Sequence, residues 1–407
     1  MQTAVSLVVS FLSVKITSVY LGPAGVGVLG QMQHFIALAF GIVVTGLKNA
    51  MIRRIAELGT DTSARAIVVS TVLKLVVYLG LPAAAIVLLT SGWLAQELLH
   101  SPELRIALVV FAVVYVFGVV GTLFVGCANG ARDYRSTMTI NVSVSIATLA
   151  LLAVLCPRWG VVGALVAVAL SPLIGFVVGA LLARRSAWWP ERVWAQPFAA
   201  PEARRSLAFI PAAAIGAVAA PLIHIVLRND LAQHSGAASL GLLQGVTRLS
   251  DLYLGLAISV LGMYFLPRFS QIQLAAELKK ELLRAAALIL PGLALVSLLI
   301  YLSRDLIIGL LFTREFAAMR DLFAWQMTGN VLKMMGWLLG MVVLSKAPPL
   351  LYAVYEAVAL VIWWRLGVWL IGANGAVGAT QAYALTYLIY VVMGLVAAWA
   401  VLRRMRS

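Results

Sequence analysis

The sequence predicts an all-α polytopic membrane protein with about 12 transmembrane helices. Two features of its composition support this class: 63% of the 407 residues are hydrophobic and only 11% are charged. Soluble chains carry about 25% charged residues. In addition, apolar runs of about 20 residues, the length that crosses a bilayer as a helix, recur along the whole chain. Little sequence is left for an aqueous domain, which excludes an ordinary soluble globular protein.

Twelve apolar runs are predicted to cross the membrane. Each must be helical, because an open strand cannot satisfy its backbone hydrogen bonds in lipid. The predicted spans are residues 3–20, 28–47, 67–89, 106–126, 138–156, 161–183, 207–227, 240–265, 285–301, 324–344, 350–371 and 380–401.

The longest polar gap, residues 184–205, separates the first six spans from the last six. It predicts an N-terminal six-helix lobe at 1–183, a cytoplasmic linker at 184–205 and a C-terminal six-helix lobe at 206–407. Tryptophan favours the membrane interface. Three linker tryptophans are therefore expected to hold the linker along the cytoplasmic surface, with a binding role as the alternative: Trp188, Trp189 and Trp194.

Internal similarity supports two related halves. The pentapeptide that begins at Gly160 recurs, as Gly-Ala-Val-Gly-Ala, at Gly375, 215 positions later. A spacing of 214 aligns Gly27 with Gly241, and likewise Leu29 with Leu243 and Arg54 with Arg268. Six spans per half keep both halves in the same orientation, which predicts a pseudo-two-fold axis along the membrane normal.

The distribution of basic residues predicts the orientation of the chain in the membrane. There are 30 basic and 15 acidic residues, a net charge of +15. With a cytoplasmic N-terminus, nineteen basic residues fall in cytoplasmic loops and six in opposite loops: Arg105, Arg158, Arg228, Arg304, Arg314 and Arg320. Because cytoplasmic loops are enriched in basic residues, both termini are expected in the cytoplasm. The basic excess is thus assigned to topology and anionic membrane lipids rather than to nucleic acid.

The motifs of common enzymes are missing from the sequence. It contains no phosphate loop, dinucleotide fingerprint, zinc-protease motif or nucleophile elbow. Cys127 and Cys156 lack metal or disulfide-scaffold spacing, and His34 and His224 are expected to be packed core residues rather than proton relays. The chain is therefore predicted to be neither an enzyme nor a metal or cofactor protein. The outer segment 302–323 alternates in charge and predicts an amphipathic surface helix.

Seven charged residues fall at apparent membrane depth. Five are basic and two acidic: Lys15, Lys74, Arg248, Lys333 and Arg365, and Asp251 and Glu356. Each costs about 2.5–3.5 kcal/mol on insertion scales, so such residues usually face a cavity or a partner. Since two acids cannot neutralise five bases, the sequence predicts a water-filled cationic cavity that attracts an anion.

Other interpretations of these charges stay open. Lys15 and Lys74 can extend to the membrane surface. Arg248 and Asp251, spaced i,i+3, can pair on one helix face. Lys333 can have an inter-helix partner. Glu356 is a candidate ion-coupling site or the partner of another charge, and it is too far along the helix to pair with Arg365.

A basic funnel is predicted at the cytoplasmic mouth. Lys48, Arg53 and Arg54 end span 2, and Arg268 ends span 8 at the matching place in the second half. These residues can guide a head-group phosphate. Ordinary topology signalling is the alternative explanation.

Several stretches resemble the bacterial lipid III flippases, which translocate lipid-linked oligosaccharides in enterobacterial common antigen and O-antigen synthesis. Their superfamily, the multidrug/oligosaccharidyl-lipid/polysaccharide exporters, also holds multidrug antiporters and the lipid II flippase. The similar stretches are 316–326 with Gly329 and 331–333, 22–27, 243–246 with 250–251, 264–268 and 378–383.

The resemblance implies two six-helix lobes that alternate between inward-open and outward-open states in the bacterial inner membrane. It implies transport of an undecaprenyl-diphosphate-linked glycan to the periplasmic leaflet, with a glycan polymerase and a chain-length regulator as possible partners. Residues 49–54 depart from the family pattern, which leaves the glycan open, and relatives usually have several residues before span 1, which leaves Met1 open as the start.

The residues expected to bind substrate in this cavity are Lys15, Arg248, Lys333, Arg53, Arg54 and Arg268, with Asp251 or Glu356 as the ion-coupling group. The alternative function is a multidrug or cation antiporter of the same fold. Such a protein should have an acidic rather than a basic cavity.

Overall fold

The computed structural model describes residues 2–59, 61–190, 193–208 and 210–405, and no β-strand occurs among them. Met1, and Arg192 and Arg406 of the nineteen basic residues, lie outside the described residues. The helices are α1 Gln2–Leu58, α2 Thr62–Leu89, α3 Ser91–Glu97, α4 Arg105–Gly130, α5 Tyr134–Ala183, α6 Ala200–Leu207, α7 Ile210–Ser235, α8 Ala237–Val260, α9 Leu266–Gln271, α10 Ala275–Leu302, α11 Arg304–Leu311, α12 Phe323–Lys346 and α13 Pro349–Arg404.

Three of these helices are bent at a glycine and hold two spans each. The bends lie at Gly22 in α1, Gly160 in α5 and Gly375 in α13, where φ is +62°, +54° and +56°. Glycine occupies these positions because left-handed backbone is costly for a residue with a Cβ atom.

The span count agrees with the prediction. Among the described residues, seven helices are long and apolar enough to cross a membrane. Counting each bent helix twice gives ten spans, and α7 and α8 bring the total to twelve. The predicted all-α polytopic fold class is confirmed.

The internal repeat extends to the backbone angles. Gly160 and Gly375 have nearly identical φ/ψ values of 54°/−131° and 56°/−132°. Gly22 has φ/ψ of 62°/−175°, and Gly236, which is 214 positions later and separates α7 from α8, has 79°/165°. The two halves of the sequence therefore make the same backbone reversals at equivalent positions.

The reversals at Gly160 and Gly375 are tight. A Cβ atom on Gly163 would collide with the carbonyl oxygen of Leu155, and one on Gly378 with that of Leu370. These carbonyls belong to helical backbone, which cannot move aside as a flexible side chain can. Glycine is thus required twice within each turn, once for backbone angle and once for space.

Gly378→Ala is expected to lower the melting temperature of the protein in detergent, because overpacking costs about 1–3 kcal/mol or more where backbone must shift. The matched control is Gly372→Ala on the same helix, where no atom lies within 4 Å of the added methyl group. Alanine there should leave stability unchanged or raise it by about 0.5–1 kcal/mol. Calorimetry of the purified protein measures the melting temperature, because it reports on both units of the chain. Equal melting temperatures for the two variants would contradict the tight-turn explanation.

Contacts divide the chain into two units. The first comprises residues 1–21 and 28–225, and the second residues 22–27 and 226–407. The first part of α7 thus packs with the first unit, whereas the predicted lobe boundary falls at residue 205. The assignment of six spans to each membrane lobe stays a prediction.

The first unit is built around α4. Phe111 and Tyr115 are buried at 0% and 1% exposure, and the Tyr115 hydroxyl donates to the Ala39 carbonyl at 2.7 Å. Gly121 lets α4 approach the backbone of α5 at Phe176. Close packing of small and aromatic residues therefore orders this unit.

The linker is part of the first unit and packs against α2 and α5. Trp188 is only 4% exposed, and its indole N–H donates to Ser136 at 3.2 Å. The prediction of interfacial anchoring is therefore wrong for Trp188, since its ring lies among protein side chains; Trp194 is 64% exposed. The ammonium of Lys74 donates to the carbonyl of linker residue Gln196 at 2.6 Å. Lys74 thus ties the linker to α2.

The outer segment is amphipathic. It folds as α11 followed by a 3-10 helix over Arg314–Leu322. Phe316 and Met319 are fully buried, whereas Asp305 and Arg320 form an exposed ion pair at 3.3 Å. The charged residues therefore cover an apolar underside.

Candidate functional site

Polar side chains gather inside the second unit, where α7, α8, α12 and α13 supply them. Gln244, Arg248 and Asp251 lie on one face of α8, at i, i+4 and i+7. Arg228 comes from α7 and Lys333 from α12. We call Arg228, Arg248, Asp251 and Lys333 the basic cluster.

Asp251 is the single acid of the basic cluster. Its carboxylate interacts electrostatically with Lys333, Arg228 and Arg248. It is solvent-exposed, although it lies in the fifteenth position of a 24-residue helix at membrane depth. An exposed charge at that depth indicates a hydrated space beside it. With three cations and one carboxylate, the basic cluster has a net charge of +2.

Arg228 is the most buried member of the basic cluster, at 2% exposure. One guanidinium nitrogen donates to the side-chain oxygen of Gln244. In the described part of the chain, its Nε and Nη1 atoms have no hydrogen-bond partner. Arg228 also lies near Arg248, which repels it. A buried guanidinium with so few acceptors is costly, as expected of a group kept for an anion.

The position of Arg228 corrects the sequence analysis, which assigned it to an outer loop. The helix continues through Arg228 to Ser235, because the chain reverses only at Gly236. The repeat spacing of 214, applied to Gly22, would have identified Gly236 as the break and placed Arg228 inside the helix.

Lys333 lies in an aromatic cage. Its ammonium is 5.9 Å from the ring centre of Trp337, 5.8 Å from that of Tyr383 and 5.6 Å from that of Tyr387. These distances fall within the range of cation–π attraction, which holds a cation without neutralising it. Lys333 therefore remains a positive charge available to an anion.

A buried hydrogen-bond network supports this cage. Asn330 is 0% exposed and uses its amide nitrogen to donate to Ser250 at 2.8 Å and to Tyr253 at 2.7 Å. Its oxygen accepts from Tyr383 at 3.0 Å and from Gln326 at 3.3 Å. The network fixes α8, α12 and α13 to one another. The spacing of these residues gives no sequence signal, because they come from separate helices.

Glu356 lies in a neighbouring tyrosine group. It accepts a 2.6 Å hydrogen bond from the Tyr390 hydroxyl, and the Tyr355 hydroxyl donates to the Tyr390 carbonyl at 3.0 Å. The rings of Tyr383 and Tyr387 are 4.9 Å apart, and those of Tyr387 and Tyr390 are 6.0 Å apart. One face of α13 therefore carries a row of tyrosines from the Lys333 cage to Glu356.

Three of the four predicted mouth residues, all arginines, have acidic partners. Arg54 bonds to Glu202 at 2.7 Å and to Glu57 at 2.8 Å, and Arg53 bonds to Glu57 at 2.8 Å. These hydrogen bonds lower the pKa of Glu57. In the second unit, Arg268 lies 3.7 Å from Glu281. Arg54 and Arg268, which occupy equivalent positions in the two halves, are thus each paired with a glutamate.

The remaining predicted residues are not members of the basic cluster. Lys15 is half-buried on the first part of α1, within the first unit. His34 and His224, also in that unit, stack with ring centres 4.5 Å apart. Arg365 is exposed and lies over Trp364. Of the predicted site, the structure brings together Arg248, Asp251 and Lys333, and it adds Arg228.

Twelve helical spans, with ionisable side chains gathered beside a hydrated space inside one unit, define a multi-pass membrane protein of the transporter class. The chain belongs to the polysaccharide biosynthesis protein family, whose sequence model matches residues 1–273. It is 28% identical over 390 residues to the lipid III flippase of Escherichia coli (strain K12), covering 96% of this chain and 94% of that one. The lipid III flippase of Shigella flexneri matches equally. The predicted resemblance is confirmed.

Solved structures of the MOP superfamily share the fold. An inward-facing multidrug resistance MATE family transporter has a TM-score of 0.82 and 16% identity, covering 99% of this chain and 96% of that one. The lipid II flippase MurJ, in an inward closed conformation, has a TM-score of 0.79 and 13% identity, covering 98% and 86% of the two chains. At these identities the similarity establishes architecture, and the choice of substrate depends on the site.

Proposed function

We propose that this protein is a flippase that moves an undecaprenyl-diphosphate-linked oligosaccharide from the cytoplasmic to the periplasmic leaflet by alternating access. The observation that carries the proposal is the basic cluster, three cations around one carboxylate inside the second unit. Family membership and the relatives named lipid III flippase support the substrate class. The glycan is lipid III of enterobacterial common antigen or an O-antigen unit.

Electrostatics explains why such a substrate needs this site. A diphosphate cannot enter hydrocarbon alone, because an uncompensated ion costs many kcal/mol there. Arg228 and Arg248 offer planar forks of N–H donors suited to phosphate oxygens, and Lys333 offers a point charge. The prenyl tail stays in lipid while the charged group is held by these residues.

The residues outside the basic cluster are assigned to capture of the head group. Lys15, Arg53, Arg54 and Arg268 remain candidates for this role. A phosphate would have to exchange with the carboxylates of Glu57 and Glu202 at Arg54 and of Glu281 at Arg268. These carboxylates compete with the phosphate, so they weaken its binding and assist its release by taking its place.

A multidrug or cation antiporter is the second candidate, favoured by the MATE fold similarity. The site argues against it. A cation substrate requires net negative charge, whereas Asp251 is surrounded by three cations. The family membership also favours glycan export over drug export. As a transporter, the protein would need no catalytic residues.

The proposed setting is the bacterial inner membrane, with both termini in the cytoplasm. The correction to Arg228 strengthens the charge bias behind this orientation, because one of the six outer basic residues moves into a helix. A glycan polymerase and a chain-length regulator are proposed partners, since the product must be consumed on the periplasmic side.

Complementation of a flippase-deficient strain tests the proposal. The wild-type chain should restore surface glycan, whereas Arg248→Ala and Lys15→Ala should fail at equal membrane abundance. Lys279→Ala, an exposed lysine at the start of α10, is the matched control and should restore glycan fully. Failure of the wild type to restore any lipid-linked-oligosaccharide pathway would contradict the proposed substrate class, and full rescue by Arg248→Ala would contradict the proposed site.

Ion coupling is assigned to Asp251 or Glu356. In proteoliposomes, transport should depend on membrane potential, and this dependence should be lost in Asp251→Asn or in Glu356→Gln. Glu356→Gln retains an oxygen that can accept from Tyr390, so its fold should survive. Unchanged voltage dependence in both variants would exclude both carboxylates from coupling.

A further inference from the structure

A groove at one end of the second unit is not used by the proposed transport mechanism. It has a volume of about 1090 Å³ and lies along the end of α12 and both spans of α13. This exceeds the 300–1,000 Å³ of typical small-molecule sites. We call it the α12–α13 groove; its lining includes Val343, Leu351, Val358, Val396, Ala400 and Arg404.

The groove is separate from the basic cluster. None of its described lining residues belongs to that cluster or to the Asn330 network. Its walls are apolar yet exposed, as Val354 at 51% and Val396 at 62% illustrate. Exposed valines on spanning helices meet hydrocarbon, so the occupant of such a groove in a bilayer is a lipid chain.

The charges of the groove lie at one end and have one sign. Among its described lining residues, Lys346 and Arg404 are basic and none is acidic. Both terminate spanning helices. Arg404 is exposed. Lys346 donates to the carbonyls of Ser270 and Ile272, which leaves one of its three N–H donors for a ligand. An anionic head group complements this end.

The length of the groove selects the kind of lipid. Its lining on the second span of α13 runs from Val392 to Arg404, which is roughly 18 Å at 1.5 Å per residue. Half of a hydrocarbon core is about 15 Å. The groove therefore accommodates the acyl chain of one leaflet, with its head group beside Arg404, whereas a long polyprenyl chain would exceed it.

From these observations we infer that the α12–α13 groove binds one anionic glycerophospholipid of the leaflet that faces the C-terminus. The acyl chain lies against the valines, and the head-group phosphate accepts hydrogen bonds from Arg404 and Lys346. This inference is independent of the flippase activity, because the two sites share no residue.

Native mass spectrometry of the purified full chain, titrated with phosphatidylglycerol, tests the inference. Ala400→Phe fills the groove and Arg404→Gln removes the head-group partner, and each should weaken binding by about tenfold. The wild type should bind phosphatidylcholine more weakly than phosphatidylglycerol, because the head group of phosphatidylcholine carries no net charge.

Matched controls separate the groove from general lipid contact. Ala153→Phe adds the same ring to an exposed site on α5. Arg403→Gln removes the charge next to Arg404; the guanidinium carbon of Arg403 lies 3.8 Å from the ring centre of Trp399. Both controls should bind phosphatidylglycerol as the wild type does. Unchanged binding in both Ala400→Phe and Arg404→Gln would overturn the inference. Tighter binding of undecaprenyl phosphate through these residues would also overturn it, because the occupant would then be the carrier lipid. If one variant fails to fold, the other still decides.

Discussion

Replacing Arg228 by methionine is expected to abolish export of surface glycan while leaving the melting temperature unchanged or higher. Arg228 is 2% exposed, and within the described residues two of its guanidinium nitrogens lack a hydrogen-bond partner. Replacing buried charged groups by apolar residues of similar volume is often neutral or stabilising by about 1–4 kcal/mol. Transport should fail because the basic cluster loses a positive charge and the N–H groups that would donate hydrogen bonds to the substrate's phosphate oxygens. Complementation and calorimetric melting measure the two effects on the same variant.

Two further variants sharpen this result. In Arg228→Met, Gln244 loses its partner, which costs about 1 kcal/mol, and the double variant with Gln244→Met removes that cost. Arg228→Lys keeps the charge but loses the planar fork, so partial glycan export is expected. Normal export by Arg228→Met would exclude Arg228 from substrate binding. A markedly lower melting temperature in the double variant would show that the arginine is structural.

Asn330→Ala is expected to destabilise the second unit by about 2–4 kcal/mol, because the Tyr383 hydroxyl loses its acceptor and Gln326, Ser250 and Tyr253 each lose one hydrogen bond. Hydrogen bonds between membrane helices are individually modest, so the size of the effect depends on losing several at once. The variant should also lose transport, since Tyr383 contributes to the cage around Lys333. Melting temperature and complementation provide the measurements.

The control for this variant is Asn374→Ala on α13. Asn374 is exposed and its amide donates to Gln381 at 2.8 Å. Removing one exposed hydrogen bond should change stability by less than about 0.5 kcal/mol. If the two variants melt at the same temperature, the Asn330 network does not stabilise the unit. Tyr383→Phe in the Asn330→Ala background should recover part of the loss, because it removes the hydroxyl whose acceptor was Asn330 and keeps the ring beside Lys333.

The sequence was sufficient for the course of the chain through the membrane. Apolar length defines spans because lipid allows only helices, and Gly160 and Gly375 mark reversals because a positive φ is costly for a residue with a Cβ atom. These constraints act on neighbouring residues of the chain, so they can be recognised from the sequence alone. The predicted boundaries differ from the structure near charges, as at Arg228, whose buried guanidinium lies within α7 and not at the end of a span.

The candidate site was predictable only in part. Arg248, Asp251 and Lys333 were identified because charge in an apolar run is costly wherever it points. The cage of Trp337, Tyr383 and Tyr387 could not be identified, because aromatic residues are common in such helices and lateral packing decides which of them face a lysine. The same reason explains Lys74, whose partner at Gln196 lies more than a hundred residues away.

The reversals at Gly22 and Gly236 occur at equivalent positions of the internal repeat. At the same spacing of 214, Arg228 corresponds to Val14, Arg248 to His34 and Asp251 to Ala37. The two halves therefore share these backbone reversals but differ in charge at three positions of the basic cluster. The charge of such a site can change through a few side chains while the backbone stays as it is.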